Sequence, residues 1–392
     1  MDLGMSPLCE TFLRADELNR MEPFYPLRVW VCERCFLVQL QEYVSPAEIF
    51  TEYAYFSSYS TSWLKHAKDY TDMAAARFGL DGRSRVVEIA SNDGYLLQYF
   101  VEKRIPVLGV EPAANVAKAA VERGVPTVVR FFGQETAGDL VRDPGPANLI
   151  VGNNVLAHVP DVNDFVGGLK ILLAPDGVVT MEFPHLWRLM DENQFDTIYH
   201  EHFSYLSFTT VIEIFSAHGL RIFDVDRIPT HGGSLRIYAG HAGTIRAEEP
   251  AVAALRTAEE AQGFRSTERY ASFAPRVEET KRALLDFLIE TRRAGKSVAA
   301  YGAPGKGNTL LNYCGIRTDF VDYAVDRNPY KHGRYTPGTH IPIFPPERIR
   351  ETRPDYVLIL PWNLKDEITE QLAYVREWGG RFVVPIPSVD VS

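Results

Sequence analysis

From about residue 66, short apolar runs alternate with amphipathic segments along the chain. The apolar runs predict strands over Ser84–Ala90, Pro106–Glu111, Pro126–Phe131, Ala147–Asn153 and Gly177–Phe183. The intervening patterns predict helices over Leu96–Lys103, Asn115–Arg123 and Asp164–Leu173. This rhythm is typical of a parallel sheet with helices on both faces.

The pattern changes twice more, which divides the chain into three regions. Residues 1–65 are rich in aromatics and loops, and we expect a small N-terminal domain there. Residues 66–245 contain the first α/β passage. Residues 246–392 begin with a charged helical connector from about Glu248 to Arg293, followed by further short strands over Ser297–Tyr301, Phe320–Val325, Tyr356–Leu360 and Phe382–Pro385. The predicted fold class is therefore α/β, with two Rossmann-like domains.

Composition excludes several classes of protein. The 392 residues include 41 Lys and Arg against 51 Asp and Glu, so the net charge is −10. An acidic chain is poorly suited to bind nucleic acid or anionic lipid over a broad surface. No apolar run reaches membrane-spanning length, and the N-terminus does not read as a signal peptide. With four cysteines only, we expect a cytoplasmic protein without a disulfide framework. We expect a monomer, although the sequence itself leaves the oligomeric state open.

The first candidate cofactor loop is VVEIASNDGYLL. Glu88 lies near the end of its strand, and the small residues that follow allow a ligand to approach the backbone. Glu111 ends the next strand, where an acid can accept both ribose hydroxyls. The fingerprint G-x-G-x-x-G is absent, since Ala90 occupies the first glycine position and Gly94 remains, which disfavours NAD. A turn with a packing role only remains an alternative.

The candidate catalytic segment is FDTIYHEHFSYLS. Two histidines flank a glutamate, but the spacing is not His-Glu-x-x-His, so a zincin is not indicated. One interpretation is a polar edge strand with satisfied histidines. The other is general acid–base catalysis by His202, with the carboxylate of Glu201 and the hydroxyl of Tyr199 nearby. The segment HGGSLR, beginning at His231, fits a polar turn or a binding loop equally well.

A second glycine-rich turn, GAPGKGNT, follows the strand Ser297–Tyr301. Backbone N–H groups at a helix N-terminus favour anions, and Lys306 adds positive charge. Asp326 ends the following strand, again at the position of a ribose contact. The spacing is not that of Walker A, so the diphosphate of a nucleotide sugar fits better than ATP. A turn used only for packing is the alternative.

The cysteines suggest half of a zinc site. Cys32-x-x-Cys35 reads as one arm of a zinc ribbon, but a structural zinc site needs four ligands. Cys9 has no close partner in the sequence, and Cys314 is expected to pack in a helix.

Several segments together resemble the S-adenosylmethionine-dependent sugar C-methyltransferases: CERCFLVQL, VVEIASNDGYLL, YHEHFSYLS, THGGSLRIY and YGAPGKGNTLLNYCGI. The resemblance spans nearly the whole chain. It implies a zinc-binding N-terminal domain, a class I methyltransferase domain and a C-terminal nucleotide-fold domain. It also implies a dTDP-linked 4-keto deoxysugar as substrate, with methylation most often at C3 and sometimes at C5.

The resemblance, with the loop patterns, assigns candidate roles. His202 is the expected base, with Glu201 and Tyr199 positioning the keto sugar. The expected S-adenosylmethionine contacts are Glu88, Ala90, Asn92, Gly94, Glu111, Asn153 and Asn154. The expected substrate contacts are Tyr53, His158, Gly305, Lys306, Asn308 and Arg327. Any zinc ligands would include Cys32 and Cys35.

The chain departs from the family at its start, and other activities stay open. The family usually has a first Cys-x-x-Cys pair upstream of the GMSPL-like stretch, so we expect an extended reading frame to contain two further cysteines. Cys9 does not replace them. The alternatives are a nicotinamide-dependent nucleotide-sugar oxidoreductase, a non-catalytic nucleotide-sugar-binding protein, and a methyltransferase acting on oxygen or nitrogen.

Overall fold

Three sheets organise the chain in a computed structural model that describes residues 1–50, 56–243 and 246–392. The strands are β1 (Asp2–Ser6), β2 (Tyr25–Val31), β3 (Val38–Leu40), β4 (Val86–Ile89), β5 (Val107–Val110), β6 (Thr127–Val128), β7 (Ala147–Asn153), β8 (Leu173–Pro184), β9 (Ser204–Tyr205), β10 (Leu220–Ile228), β11 (Ser234–His241), β12 (Val298–Tyr301), β13 (Tyr323–Val325), β14 (Ile343–Phe344), β15 (Tyr356–Ile359), β16 (Arg381–Val384) and β17 (Asp390–Val391).

The helices connect these strands and cover the sheets. They are α1 (Pro46–Phe50), α2 (Thr61–Phe78), α3 (Leu97–Glu102), α4 (Ala114–Glu122), α5 (Gln134–Arg142), α6 (Val162–Leu172), α7 (Leu186–Asp191), α8 (Phe208–Ala217), α9 (Pro250–Ala261), α10 (Thr267–Ala271), α11 (Phe273–Arg293), α12 (Gly305–Cys314), α13 (Arg348–Thr352) and α14 (Lys365–Gln371).

The central sheet has seven strands in the order β10-β11-β8-β7-β4-β5-β6. The pairs of β4 with β5 and of β4 with β7 are parallel, while β11 is antiparallel to both of its neighbours. The strand order reverses beside β4. In open α/β sheets, ligands bind outside the carboxyl ends of the strands at such a point.

The C-terminal sheet repeats this arrangement with six strands in the order β14-β13-β12-β15-β16-β17. Its strands are parallel except for β17, which is antiparallel to β16. Here the order reverses beside β12. The prediction of an α/β fold with two Rossmann-like sheets is confirmed.

A small antiparallel sheet, in the order β1-β2-β3-β9, joins the N-terminal region to the segment between β8 and β10. Its last strand comes from the YHEHFSYLS segment, where Val38 pairs with Tyr205. Buried residues of this sheet, such as Leu27, belong to the same apolar core as Val298 of the C-terminal sheet. The small sheet therefore fixes the catalytic candidate segment against the C-terminal domain.

Some elements differ from the sequence-based expectation. The charged connector forms three helices, because Gly263 adopts a φ of +82° after α9 and the chain turns before α10. The strand expected over Pro126–Phe131 is confined to the two residues of β6. The boundary proposed between residues 65 and 66 falls inside α2, which begins after the N-cap of Ser60. Within the described ranges, no helix has both the length and the apolarity needed to cross a membrane.

Candidate functional site

The turn after β4 has the backbone of a close-approach loop. Ala90, Asn92 and Gly94 have φ angles of +56°, +49° and +76°, in the left-handed region that glycine favours. Ala90 thus takes the conformation of the missing glycine at a steric cost, and such strain is common at ligand sites. At Gly94, an added Cβ would come within 3.0 Å of the Val125 side chain, so this position has no room for a larger residue.

Glu111 holds this turn from the end of β5. One carboxylate oxygen accepts the Asn92 N–H at 2.9 Å, and the other accepts the Ala113 N–H at 2.8 Å. Each oxygen keeps a further lone pair for a ribose hydroxyl. Burial raises the pKa of this carboxyl group.

Buried polar atoms without partners surround the same turn. Glu88 is completely buried and burial raises its pKa well above the ordinary value; Tyr95 approaches it, but neither carboxylate oxygen makes a hydrogen bond of ordinary geometry within the described residues. The amide nitrogen of Asn153, at the end of β7, is also unpartnered in the described part of the chain. Buried polar groups are nearly always hydrogen-bonded, so these atoms fit a polar cofactor such as S-adenosylmethionine.

His202 lies in a turn and not in a strand, because its backbone N–H donates to the Tyr199 carbonyl at 2.9 Å. Its Nδ1 lies 2.8 Å from the Thr197 carbonyl, which can only accept, so the ring hydrogen is on Nδ1 and Nε2 is unprotonated. Burial and the nearby His158 lower the pKa of His202 well below its usual value. The ring is therefore a neutral imidazole with a fixed tautomer.

Aromatic and acidic residues surround this imidazole. The Tyr199 and His158 rings lie 4.1 and 4.6 Å from it between centroids. Glu201 is buried, accepts the Cys9 thiol at 3.7 Å, and has its pKa raised to about 8 by burial. Burial also lowers the pKa of His158 to about 4. The rings of Tyr199, His202 and His158 thus form one cluster, while the Glu201 carboxyl group faces Cys9 and Tyr53 lies outside the described residues.

The second glycine-rich turn is contacted mainly by other parts of the chain, although the buried Asn308 Oδ1 has no hydrogen-bond partner among the described residues. Asp326 accepts the Ala303 N–H at 2.8 Å. At Gly305, an added Cβ would meet Cys9 Sγ at 2.9 Å and Glu10 Oε1 at 3.1 Å, so the N-terminal segment packs on the start of α12.

Asn308 is completely buried and donates to the Cys9 carbonyl at 2.6 Å. Gly305 and Asn308 therefore face the N-terminal segment and not an open groove.

The two cationic residues of this region are placed differently from each other. Lys306 Nζ lies 4.2 Å from the Trp362 ring centroid, and its charge reaches His231 and the buried Asp196. Burial lowers the pKa of Lys306 to about 8 and raises that of Asp196 to about 7. Arg327 has a 67% exposed side chain with Glu367 at 3.8 Å. Only Lys306 of this pair belongs to the surroundings of the catalytic candidates.

The two cysteines of the ribbon-like arm do not complete a zinc site. Hydrogen bonds from the backbone of Cys35 and Arg34 lower the pKa of Cys32, and burial raises that of Cys35. Cys9 lies instead against Glu201. No group of three or more His, Cys, Asp or Glu side chains with metal-binding geometry occurs in the part of the chain that the structure describes. These residues therefore do not fit a tetrahedral zinc site.

Sequence reasoning missed a buried ionic network beside the site. Glu182, at the carboxyl end of β8, is completely buried and bonds His66 Nε2 at 2.8 Å and Arg236 Nη2 at 2.8 Å. Burial opposes ionisation, but the His66 bond and the Arg236 charge lower the pKa of Glu182 below its usual value. These residues come from separate elements with no common motif; only the HGGSLR segment, which contains Arg236, gave a signal.

Comparison with family models matches three consecutive parts of the chain. The descriptions are "Putative zinc binding domain" for residues 1–50, "Methyltransferase domain" for 63–225 and "C-methyltransferase C-terminal domain" for 229–387.

Among curated proteins, the C-methyltransferase NovU of Streptomyces niveus is 38% identical over 387 residues, which cover 99% of this chain and 92% of that protein.

Solved structures give more distant matches. An S-adenosylmethionine-dependent methyltransferase from Clostridium acetobutylicum covers 46% of this chain and 92% of its own, with 12% identity and a TM-score of 0.38. The PH0226 protein from Pyrococcus horikoshii covers 52% and 99%, with 12% identity and a TM-score of 0.39. At these scores neither structure contributes to the assignment.

Proposed function

The chain belongs to the family of S-adenosylmethionine-dependent C-methyltransferases, and from that premise we propose that it methylates C3 of a dTDP-linked 4-keto deoxysugar. The observation that carries the proposal is His202, a neutral imidazole whose Nε2 is free of its proton, packed against Tyr199 and His158. An imidazole with an unprotonated ring nitrogen can accept a proton from a carbon next to a ketone.

The cofactor would be held at the switch point of the central sheet. Glu88, Asn153 and Asn154 offer buried polar atoms, Glu111 offers ribose contacts, and Ala90, Asn92 and Gly94 form the close-approach turn. Bound there, S-adenosylmethionine supplies an electrophilic methyl group on sulfur.

The chain's own residues prepare the sugar carbon for that methyl group. His202 Nε2 takes the proton from C3, and the negative charge moves to the ketone oxygen at C4. Glu201, with a pKa of about 8, is largely protonated near neutral pH and can donate its proton towards that oxygen, and the Tyr199 hydroxyl can do the same. His158 packs on the base and restricts its orientation. The site therefore works by positioning and proton transfer.

The nucleotide part would be recognised by charge from the C-terminal domain. Lys306 and Arg327 are the proposed phosphate contacts, with Tyr53 on the sugar side. Gly305 and Asn308 would contribute by holding the N-terminal segment beside Glu201.

The test separates proton removal from methyl transfer. His202→Asn should lose at least about 100-fold in both turnover and deuterium wash-in at the sugar carbon, since a positioned base contributes roughly 10²–10⁴. The matched control is His200→Asn, because His200 is buried in the same turn but bonds the Pro26 carbonyl. S-adenosylhomocysteine affinity should stay within about twofold in both variants. Normal wash-in with His202→Asn would remove this residue from the role of base.

A further inference from the structure

Two residues beside the site share an unusual backbone conformation and bond to each other. Asn154 follows β7 with a φ of +55°, and His231 precedes β11 with a φ of +53°. Their side chains meet at 2.7 Å between Asn154 Nδ2 and His231 Nε2. A left-handed conformation is uncommon outside glycine and persists where surrounding contacts enforce it. The two backbone conformations and the contact between the side chains fix Asn154 and His231 relative to each other.

Glu182 supplies the enforcing contacts for both. Its backbone carbonyl accepts the Asn154 N–H at 2.7 Å, and its Oε1 accepts the Thr230 hydroxyl at 2.8 Å, directly before His231. His66 and Arg236 fix the carboxylate itself. A buried ion pair is weak support for stability, so a role in positioning explains its presence better.

The His231 ring belongs with the two imidazoles already described. Its side chain is exposed, its charge would be felt by both His158 and His202, and Lys306 acts on it in turn. The Trp63 ring packs against it at 5.2 Å between centroids. Because the Asn154 amide nitrogen donates to Nε2, the ring hydrogen is on Nδ1.

We propose that His231 is a further substrate-binding residue, whose Nδ1–H donates to a carbonyl or hydroxyl oxygen of the sugar, and that Glu182 and Asn154 are its positioning residues. A donor whose tautomer and backbone are fixed before the substrate arrives costs little ordering on binding. The inference rests on the proposed keto-sugar substrate.

The variants are chosen to separate positioning from folding. His231→Asn removes the imidazole, and Asn tolerates the left-handed backbone. Glu182→Gln removes the anchoring charge. Glu259→Gln is the matched control, because Glu259 is also a completely buried glutamate with a histidine partner, His185 at 2.6 Å, but it accepts the N–H groups at the start of α8.

Steady-state kinetics with a dTDP-linked 4-keto deoxysugar give the readout. His231→Asn and Glu182→Gln should each raise KM for the sugar about tenfold, with S-adenosylhomocysteine affinity within about twofold of wild type. The KM of the double variant should be no higher than that of His231→Asn, because both substitutions remove the same contact with the sugar. Glu259→Gln should lower the melting temperature and leave KM unchanged.

Two results would overturn the inference and can be told apart from failure of the proposed function. If the wild type is active and the KM of His231→Asn is unchanged, the proposed contact between His231 and the sugar is rejected, while the proposed function stands. Additive effects of His231→Asn and Glu182→Gln reject the positioning role. A wild type that does not turn over the keto sugar overturns the proposed function, and this inference with it.

Discussion

The two Rossmann-like sheets have the same kind of turn at their switch points, but the surroundings of the two turns differ. In each, a turn of small residues follows the first strand, and an acid at the end of the next strand holds it. Glu111 accepts the N–H groups of Asn92 and Ala113, and Asp326 accepts those of Ala303 and Asn328. The local geometry of the two turns is thus closely matched.

What lies in front of each turn differs. The turn after β4 faces buried polar atoms without partners, on Glu88 and Asn153, in the described residues. At the turn after β12, Asn308 Oδ1 is likewise unpartnered among the described residues, but Cys9 and Glu10 fill the space in front of the turn, and Lys331 lies 3.6 Å from the Glu10 carboxylate. A glycine-rich turn before a helix therefore indicates access to backbone N–H groups, while the surrounding chain determines whether a ligand can use them.

The largest expected effect compares the two acids. Glu111→Ala should weaken S-adenosylhomocysteine binding by at least about 100-fold, because it removes ribose acceptors and the support of the turn. Asp326→Ala should leave that affinity within about twofold. Calorimetric titration measures both affinities, and an equal loss in the two variants would show that the two turns contribute alike to cofactor binding.

A second pair of variants separates the stability of the fold from the affinity for the cofactor. Asn308→Ala should lower the free energy of unfolding by about 1–3 kcal/mol, because it leaves the buried Cys9 carbonyl unpaired, and should not change cofactor affinity. Asn153→Ala removes an unpartnered buried amide nitrogen, so it should weaken cofactor binding with little loss of stability. Denaturant unfolding and calorimetry on the two proteins check this. The reverse pattern would mean that the roles of the two turns are interchanged.

The smallest expected effect concerns pH and the segment that fills the second turn. Cys9 also contacts Glu201, whose pKa rises from 4.5 to about 8 on burial. The folded state then binds the proton more tightly than the unfolded state, so this contribution to stability is present below pH 4.5 and is lost as pH rises towards 8.

Glu201→Gln should therefore flatten the fall in melting temperature between about pH 5 and 8 by several degrees. The control is Glu259→Gln, since the pKa of Glu259 is lowered and its loss cannot flatten that slope. Parallel slopes for Glu201→Gln and wild type would contradict the assignment.

The sequence was informative where function depends on short segments. The alternation of apolar runs predicted both parallel sheets, and the turn after Glu88 and the neighbourhood of His202 were visible as motifs. It was not informative where residues meet over long separations: Glu182 with His66, or Asn308 with Cys9, are more than 100 positions apart. Helix α2 was missed entirely, because the aromatic residues up to Trp63 were assigned to the loop-rich N-terminal region and no helical period was recognised after them.

Transfer of the methyl group to the carbon beside the ketone can be followed with an isotope label. The protein is incubated with S-adenosylmethionine carrying a ¹³C methyl group and a dTDP-linked 4-keto deoxysugar, and the product is examined by NMR. We expect a labelled methyl group whose ¹³C is coupled to C3, the carbon next to the C4 carbonyl. A methyl group on oxygen or nitrogen, or no labelled sugar at all, would contradict it.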